Sequence, residues 1–223
     1  MIYPVTRVIF FPLLRAFVKR IEGLEHVPKT GPLIIACKHI TAIDGYLLAS
    51  VLIPFFNQKV HFIANAKKWG VIWEKFISQR WAGCIPFDTA NRSQCLATAQ
   101  KLLEKGKIVG IYPEGYLLEY GQNKYQARTG VARLSLWEHV PILPVGFRYN
   151  ISVKNRLPVL YQYWRSILNI LRHPRSLDIV FGHAFELKTY YNKPITKELL
   201  RQATNEVMDR IDSLCQIRNK NID

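Results

Sequence analysis

Five short, mostly apolar runs recur along this chain: Pro32–Cys37, Val60–Ala64, Ile108–Tyr112, Ile142–Phe147 and Leu177–Phe181. Each has the length of a strand, and most show no polar alternation, so both faces of each are expected to be covered. Helical patterns separate several of them, at Ala42–Ile53, Asn91–Lys105 and Val131–His139. The tail is a further amphipathic helix over Thr196–Leu214, with Ile195, Leu199, Ala203, Val207, Ile211 and Leu214 at spacings of three and four. Thr196 is placed to cap it, and Ser93 to cap the helix in Asn91–Lys105. Strands alternating with helices predict an α/β fold, with a mostly parallel or mixed central sheet covered by helices on both faces. The stretch 152–174 is open between helix, loop and a membrane-facing flap.

At 223 residues, 49% hydrophobic and 21% charged, the chain is long and apolar enough for one large core. Its net charge of +15 implies an anionic partner. From Tyr120 to Arg175 there are nine Lys or Arg and one acid, Glu138. Tyr149, Tyr161, Tyr163 and Trp164 lie in the same segment, and aromatics beside arginines suit a lipid headgroup layer. No nucleic-acid motif is present. The cysteines Cys37, Cys84, Cys95 and Cys215 form no C-x-x-C pair, which predicts reduced, mostly buried thiols in the cytosol and no metal site.

Residues 1–20 are interrupted by Arg7, Arg15, Pro4 and Pro12, so they make a poor membrane span. Arg7, Arg15 and Lys19 fall within roughly 120° of a helical wheel, the rest being Val, Ile, Phe and Leu. That predicts N-terminal amphipathic helices lying in the membrane interface, ahead of an α/β domain over 21–223. An amphipathic helix packed on the domain fits the same pattern.

Two motifs fall at predicted strand ends, where α/β folds collect their chemistry. His39 follows the first strand, and Asp44 lies five residues on, in the first turn of the next helix. A carboxylate there is favoured by the helix dipole and can fix the tautomer of the imidazole, leaving the other nitrogen to accept a proton. No G-x-S-x-G is present, so the nucleophile of such a pair is a hydroxyl on the substrate. A structural histidine bonded to a capping carboxylate fits the spacing too. Glu114, between Pro113 and Gly115, ends another strand, where glycine permits close approach of a substrate.

Taken in order, His39-x-x-x-x-Asp44, Gly83-Cys84-Ile85-Pro86-Phe87-Asp88, Ile111-Tyr112-Pro113-Glu114-Gly115 and Val140-Pro141-Ile142-Leu143-Pro144-Val145 resemble the motifs of the glycerolipid acyltransferase family. Gly23-Leu24-Glu25-His26-Val27-Pro28 and Phe181-Gly182-His183 extend the likeness over roughly 20–215. The resemblance implies a transferase moving a fatty acyl group from a coenzyme A or acyl carrier protein thioester to a lysoglycerolipid hydroxyl. The simplest acceptor is 1-acyl-sn-glycerol-3-phosphate, giving phosphatidic acid in phospholipid biosynthesis. His39 would be the general base, Asp44 its orienting partner, and Glu114 and Gly115 part of the acceptor site. It implies no cofactor and no metal, and a peripheral place on the cytoplasmic face of the cell membrane.

The chain departs from the family's pattern at Thr89 and at Tyr116-Leu117-Leu118, where the family carries phosphate-gripping arginines, and at Lys38, where it carries asparagine. Arg92, Lys67, Lys68, Lys124 and Arg128 are the candidates to replace that grip. The alternatives are the same chemistry on another lysophospholipid, a glycolipid or a membrane alcohol, a thioesterase, or a non-catalytic anionic-lipid-binding module.

Overall fold

The computed structural model describes residues 3–64, 73–88, 90–115, 126–149 and 159–216. Among the described residues there are seven strands: β1 (Val18–Glu22), β2 (Leu33–Cys37), β3 (Val60–Ala64), β4 (Ile85–Pro86), β5 (Ile108–Ile111), β6 (Ile142–Tyr149) and β7 (Leu177–Phe181). They form one sheet in the order β1-β7-β6-β2-β5-β3-β4. Every pairing is parallel except β6 with β7. The α/β, mixed-sheet expectation therefore holds, and all five expected strands are found.

The α-helices are α1 (Phe11–Arg15), α2 (Asp44–Phe56), α3 (Arg92–Glu104), α4 (Gly130–Glu138), α5 (Val159–Arg172) and α6 (Lys197–Cys215). Strand β2 shows how the two layers arise. Successive side chains point to opposite faces. Leu33, Ile35 and Cys37 join a core with α2 and Phe11, while Ile34 and Ala36 join a second with α3, α4 and α6. All five are buried, which is why the run carries no polar alternation. The tail helix buries Leu199, Ala203, Val207 and Ile211 as its spacing requires, and Thr196 caps it by accepting from the Leu199 N–H at 3.1 Å. Ile195 lies before the helix and is exposed. For α3 the cap is Asn91, which accepts from the Gln94 N–H, and Ser93 only donates to it.

The N-terminal segment differs from its expected form. A π-helical turn, Thr6–Phe10, and the short α1 end at Arg15, and the chain then enters the sheet as β1. Lys19 thus lies on an edge strand and not on a helical arc with Arg7 and Arg15. Phe11 is buried against α2, while Val8, Ile9 and Leu13 are exposed. Arg7 donates to Asn57 Oδ1 at 2.7 Å and to the Pro54 carbonyl at 3.0 Å, pinning this segment to the end of α2. No helix among the described residues is long and apolar enough to cross a membrane.

The sheet's centre leaves no room at one position. A Cβ on Gly110, in β5, would stand 2.4 Å from the ring of Phe62 on β3. Gly110→Ala is expected to cost about 1–3 kcal/mol by overpacking. Adding Phe62→Ala should recover part of that, so that the double variant unfolds at a higher urea concentration than additive losses require. Strict additivity would show that the two side chains do not collide.

Candidate active site

Strands β2, β5 and β6 run parallel, so Cys37, Ile111 and Tyr149 all finish at one end of the sheet. The chemistry predicted at strand ends gathers there. After β2 the chain passes through Lys38 and His39 and turns, the Asp44 N–H donating to the Thr41 carbonyl at 3.3 Å as α2 begins. Asp44 is completely buried. Its Oδ2 accepts from the backbone N–H of Ile40 at 2.6 Å and of Thr41 at 2.7 Å, and lies 3.2 Å from His39 Nδ1. Its Oδ1 accepts from the Thr41 hydroxyl and from the Tyr149 hydroxyl, the latter at 2.7 Å. With Nδ1–H donating to Asp44, Nε2 is the acceptor nitrogen.

The imidazole is held on a second side as well. The ring of Tyr112 stacks on it, centroids 4.1 Å apart. Gly45 makes room for this, since a Cβ there would meet the Tyr112 hydroxyl at 3.3 Å. His39 keeps 21% of its side chain exposed, while its carboxylate partner has none, so the pair opens to solvent on the histidine side alone.

Glu114 sits in a turn in which the Gly115 N–H donates to the Tyr112 carbonyl at 3.0 Å. It is 1% exposed, and neither carboxyl oxygen meets a hydrogen-bond partner among the described residues. Burial pushes its carboxyl up to about 7, opposed in part by the charge of Lys38. Lys38 in turn donates to Asp212 of α6 at 2.6 Å. Burial disfavours its charge, but the bond to Asp212 outweighs this and raises its pKa.

The candidate cations divide by position. Gly115 has φ +74°, and Arg128 packs against its open side, where a Cβ would meet Arg128 Cγ at 3.3 Å. Two bonds hold the segment carrying Arg128. Its own N–H donates to the Pro113 carbonyl at 2.7 Å, and Arg201 donates to the Ala127 carbonyl at 2.8 Å. Arg128 thus joins the Glu114–Gly115 turn, exposed, just ahead of α4. Arg92 opens α3, which follows β4, the edge strand three strand spacings or about 14 Å from β2. Lys67, Lys68, Thr89, Tyr116, Leu117, Leu118 and Lys124 lie outside the described residues.

Tyr149 is a correction. Its place in a basic, aromatic segment suggests a headgroup contact, yet it is buried with its hydroxyl on Asp44. Its position as the last residue of an apolar strand parallel to β2 is the signal that would have assigned it inward. Thr41 and Asp212 were likewise not singled out. The thiols supply no nucleophile. Cys37 is fully buried and held well above its usual pKa, burial also raises Cys84, and it brings Cys95 and Cys215 to about 11. Two open clefts, of about 380 Å³ beside Arg7 and Pro54 and about 460 Å³ beside His26 and His183, lie away from His39.

A buried carboxylate holding a half-open histidine at the parallel ends of an α/β sheet defines a site for acid–base chemistry on a substrate brought to it. Residues 19–148 match the family described as Acyltransferase. The match spans more than half of the chain, which belongs to that family and is an acyltransferase enzyme. It is similar to the 1-acyl-sn-glycerol-3-phosphate acyltransferase of Bacillus subtilis, 26% identical over 209 residues, covering 90% of this chain and 93% of that protein. It also resembles the crystal structure of the 1-acyl-sn-glycerophosphate acyltransferase PlsC from Thermotoga maritima. There the TM-score is 0.61 at 17% identity, over 94% of this chain and 77% of that one, a likeness of fold.

The buried Glu114 has a thermodynamic signature. Unfolded, its carboxyl loses its proton near its ordinary value of 4.5, whereas folded it holds the proton to about 7. In that window the folded state binds more protons, so stability falls as pH rises. The whole effect is about 3 kcal/mol. Glu114→Gln has no proton to lose, so its stability relative to the unchanged protein should improve by about that amount between about pH 4.5 and about pH 8. Urea unfolding at both ends of the window reads it, and a pH-independent difference would refute it.

Proposed function

We propose that this enzyme transfers a fatty acyl group from a thioester of coenzyme A or acyl carrier protein to the free hydroxyl of a lysoglycerolipid, most simply 1-acyl-sn-glycerol-3-phosphate, giving phosphatidic acid. The observation that carries this reading is the contact of His39 Nδ1 with the buried Asp44 carboxylate at 3.2 Å, beside no activated nucleophile of the protein's own among the described residues. The Bacillus subtilis relative, which covers nearly the whole chain and is named for that acceptor, supports the choice of lipid.

In this reading His39 Nε2 accepts the proton of the lipid hydroxyl as its oxygen attacks the thioester carbonyl. Asp44 keeps the tautomer and steadies the imidazolium. The carbonyl π electrons move onto oxygen, and backbone N–H groups around the start of α2 supply donors for that oxyanion. Collapse breaks the carbon–sulfur bond, and the proton on His39 passes to the departing thiolate. No acyl-enzyme forms. Glu114 holds its proton to about pH 7 and lies beside the acceptor as a donor to one of its oxygens. Arg128, exposed over Gly115, grips the acceptor's phosphate.

The acceptor places the enzyme at a bilayer, and a +15 chain suits an anionic leaflet. Both donors are cytosolic thioesters, and the four cysteines are free thiols, so the cytoplasmic face is the side proposed. A second reading, transfer to a different membrane alcohol, is favoured by Tyr116-Leu117-Leu118 in place of the family's phosphate-binding arginine.

Labelled acyl donor offered with lyso-acceptors, with and without a phosphate headgroup, separates these readings. Turnover should require an acceptor and drop by on the order of 10²–10⁴ in His39→Ala. Full-rate release of free fatty acid without acceptor would make the protein a thioesterase. Arg128→Gln should raise KM for phosphate-bearing acceptors and leave the others unchanged, and an equal effect on both classes would favour the second reading. Tyr149→Phe should lower kcat about tenfold, because one lost bond to a buried carboxylate is worth about 1.5–3 kcal/mol, part of which is felt at His39. Unaltered kcat would remove Tyr149 from the machinery.

A further inference from the structure

Helix α5 is built the wrong way out for a helix of a water-facing domain. Its polar Ser166 is buried, while Tyr161, Trp164, Ile167, Leu168 and Leu171 are all exposed. At 100° per residue these five share an arc of roughly 120°, a continuous apolar stripe. The helix is about 21 Å long and its stripe, from Tyr161 to Leu171, about 15 Å at 1.5 Å per residue, too short to cross a bilayer and long enough to lie along one. Arg165 and Arg172 fall together along one border of the stripe, and no acidic residue occurs anywhere between Glu138 and Asp178.

The C-terminal end of α5 is tethered to β7. Leu177, the first residue of β7, is paired with Tyr149, the last of β6, in their antiparallel ladder. Tyr149 is also the residue whose hydroxyl meets Asp44. Four residues join Arg172 to Leu177, so the end of α5 stays within roughly 18 Å of the rim that carries the catalytic pair.

We propose that α5 docks the enzyme on an anionic leaflet, with Trp164, Leu168 and Leu171 entering the acyl–headgroup boundary and Arg165 and Arg172 meeting lipid phosphates. The occupant is a lipid surface because the stripe is bordered by cations without acids, and because Tyr161 on that border and Trp164 within the stripe carry rings that suit a layer dry on one side and wet on the other. The inference rests on the reading that the acceptor is a membrane lipid. It adds the element that presents the catalytic rim to that lipid, which is distinct from the N-terminal segment.

The test compares the full-length protein with Trp164→Glu/Leu168→Glu and with Ile195→Glu, a control at an exposed apolar residue elsewhere. Co-sedimentation with vesicles of phosphatidylcholine containing phosphatidylglycerol should fall at least tenfold for the double variant and stay unchanged for the control. Binding of the unchanged protein should weaken sharply without phosphatidylglycerol or in high salt. Acylation of a vesicle-embedded acceptor should fall in parallel, while a short-chain, water-soluble acceptor should be used at the normal rate by the double variant. Undiminished vesicle binding would overturn the proposal, as would a change in molecular mass in solution with binding intact, which would make the stripe a contact between copies. Thermal melts verify that the exposed substitutions leave the fold in place. If the unchanged protein transfers no acyl group even to the soluble acceptor, the transfer reading fails on its own, since the vesicle pellet still decides the role of α5.

Discussion

Five donors converge on the carboxylate of Asp44. A fully buried carboxylate is tolerable only when its lone pairs are satisfied, because the desolvation it suffers otherwise amounts to several kcal/mol. That requirement shapes the surroundings. The backbone of Ile40 and Thr41 must turn its N–H groups back toward the start of α2, and this turn sets where His39 stands. Tyr149 ties the same carboxylate to the end of β6, so the turn carrying His39 is braced by the neighbouring strand as well as by its own chain. The helix dipole of α2 adds in the same sense. A side chain one methylene longer or shorter would miss most of these partners, which is the physical content of a five-residue spacing.

The parts of this architecture legible in the sequence are those where burial leaves no choice. The five runs read as strands include the sheet's centre, and apolarity on both faces marked them. The edges were harder. Strand β1, VKRIE, carries charges on an edge that only β7 covers, and it reads as the end of an amphipathic helix. Strand β4 is two residues long and leaves no pattern at all. His39 and Asp44 were legible because two titratable groups interrupt apolar sequence. The converse holds for Tyr149, whose aromatic ring fits either a core or a headgroup layer, so only the strand pairing could decide. Arg128 was one of several cations that sequence could not rank. Its place over Gly115 depends on a chain reversal held by the Pro113 and Ala127 carbonyls, and nothing in local sequence specifies such a closure.

The departures from the family's pattern acquire a common setting. Lys38 is a bridge, pinning the residue before His39 to Asp212 near the far end of α6. The tail helix therefore buttresses the turn that carries His39, a connection across 174 positions of sequence. A lysine committed to Asp212 in this way is poorly placed to serve as the phosphate grip. Arg128, exposed beside Gly115, is the better candidate in the proposed reading, because a planar guanidinium suits a phosphate better than an ammonium does.

Two buried carboxyls thus stand at one sheet end under opposite regimes. Asp44 is saturated with donors and serves to hold the imidazole. Glu114 is buried, meets no hydrogen-bond partner among the described residues, and keeps its proton to about pH 7. A carboxyl kept neutral that far above its ordinary range can donate a hydrogen bond, which a carboxylate cannot. In the proposed reading, an oxygen-bearing ligand that accepts this proton offsets the cost of burying the carboxyl unpaired. The proposed lyso-acceptor offers such oxygens, so in that reading Glu114 favours the loaded site over the empty one. This preference arises from desolvation and needs no movement of the sheet that carries both residues.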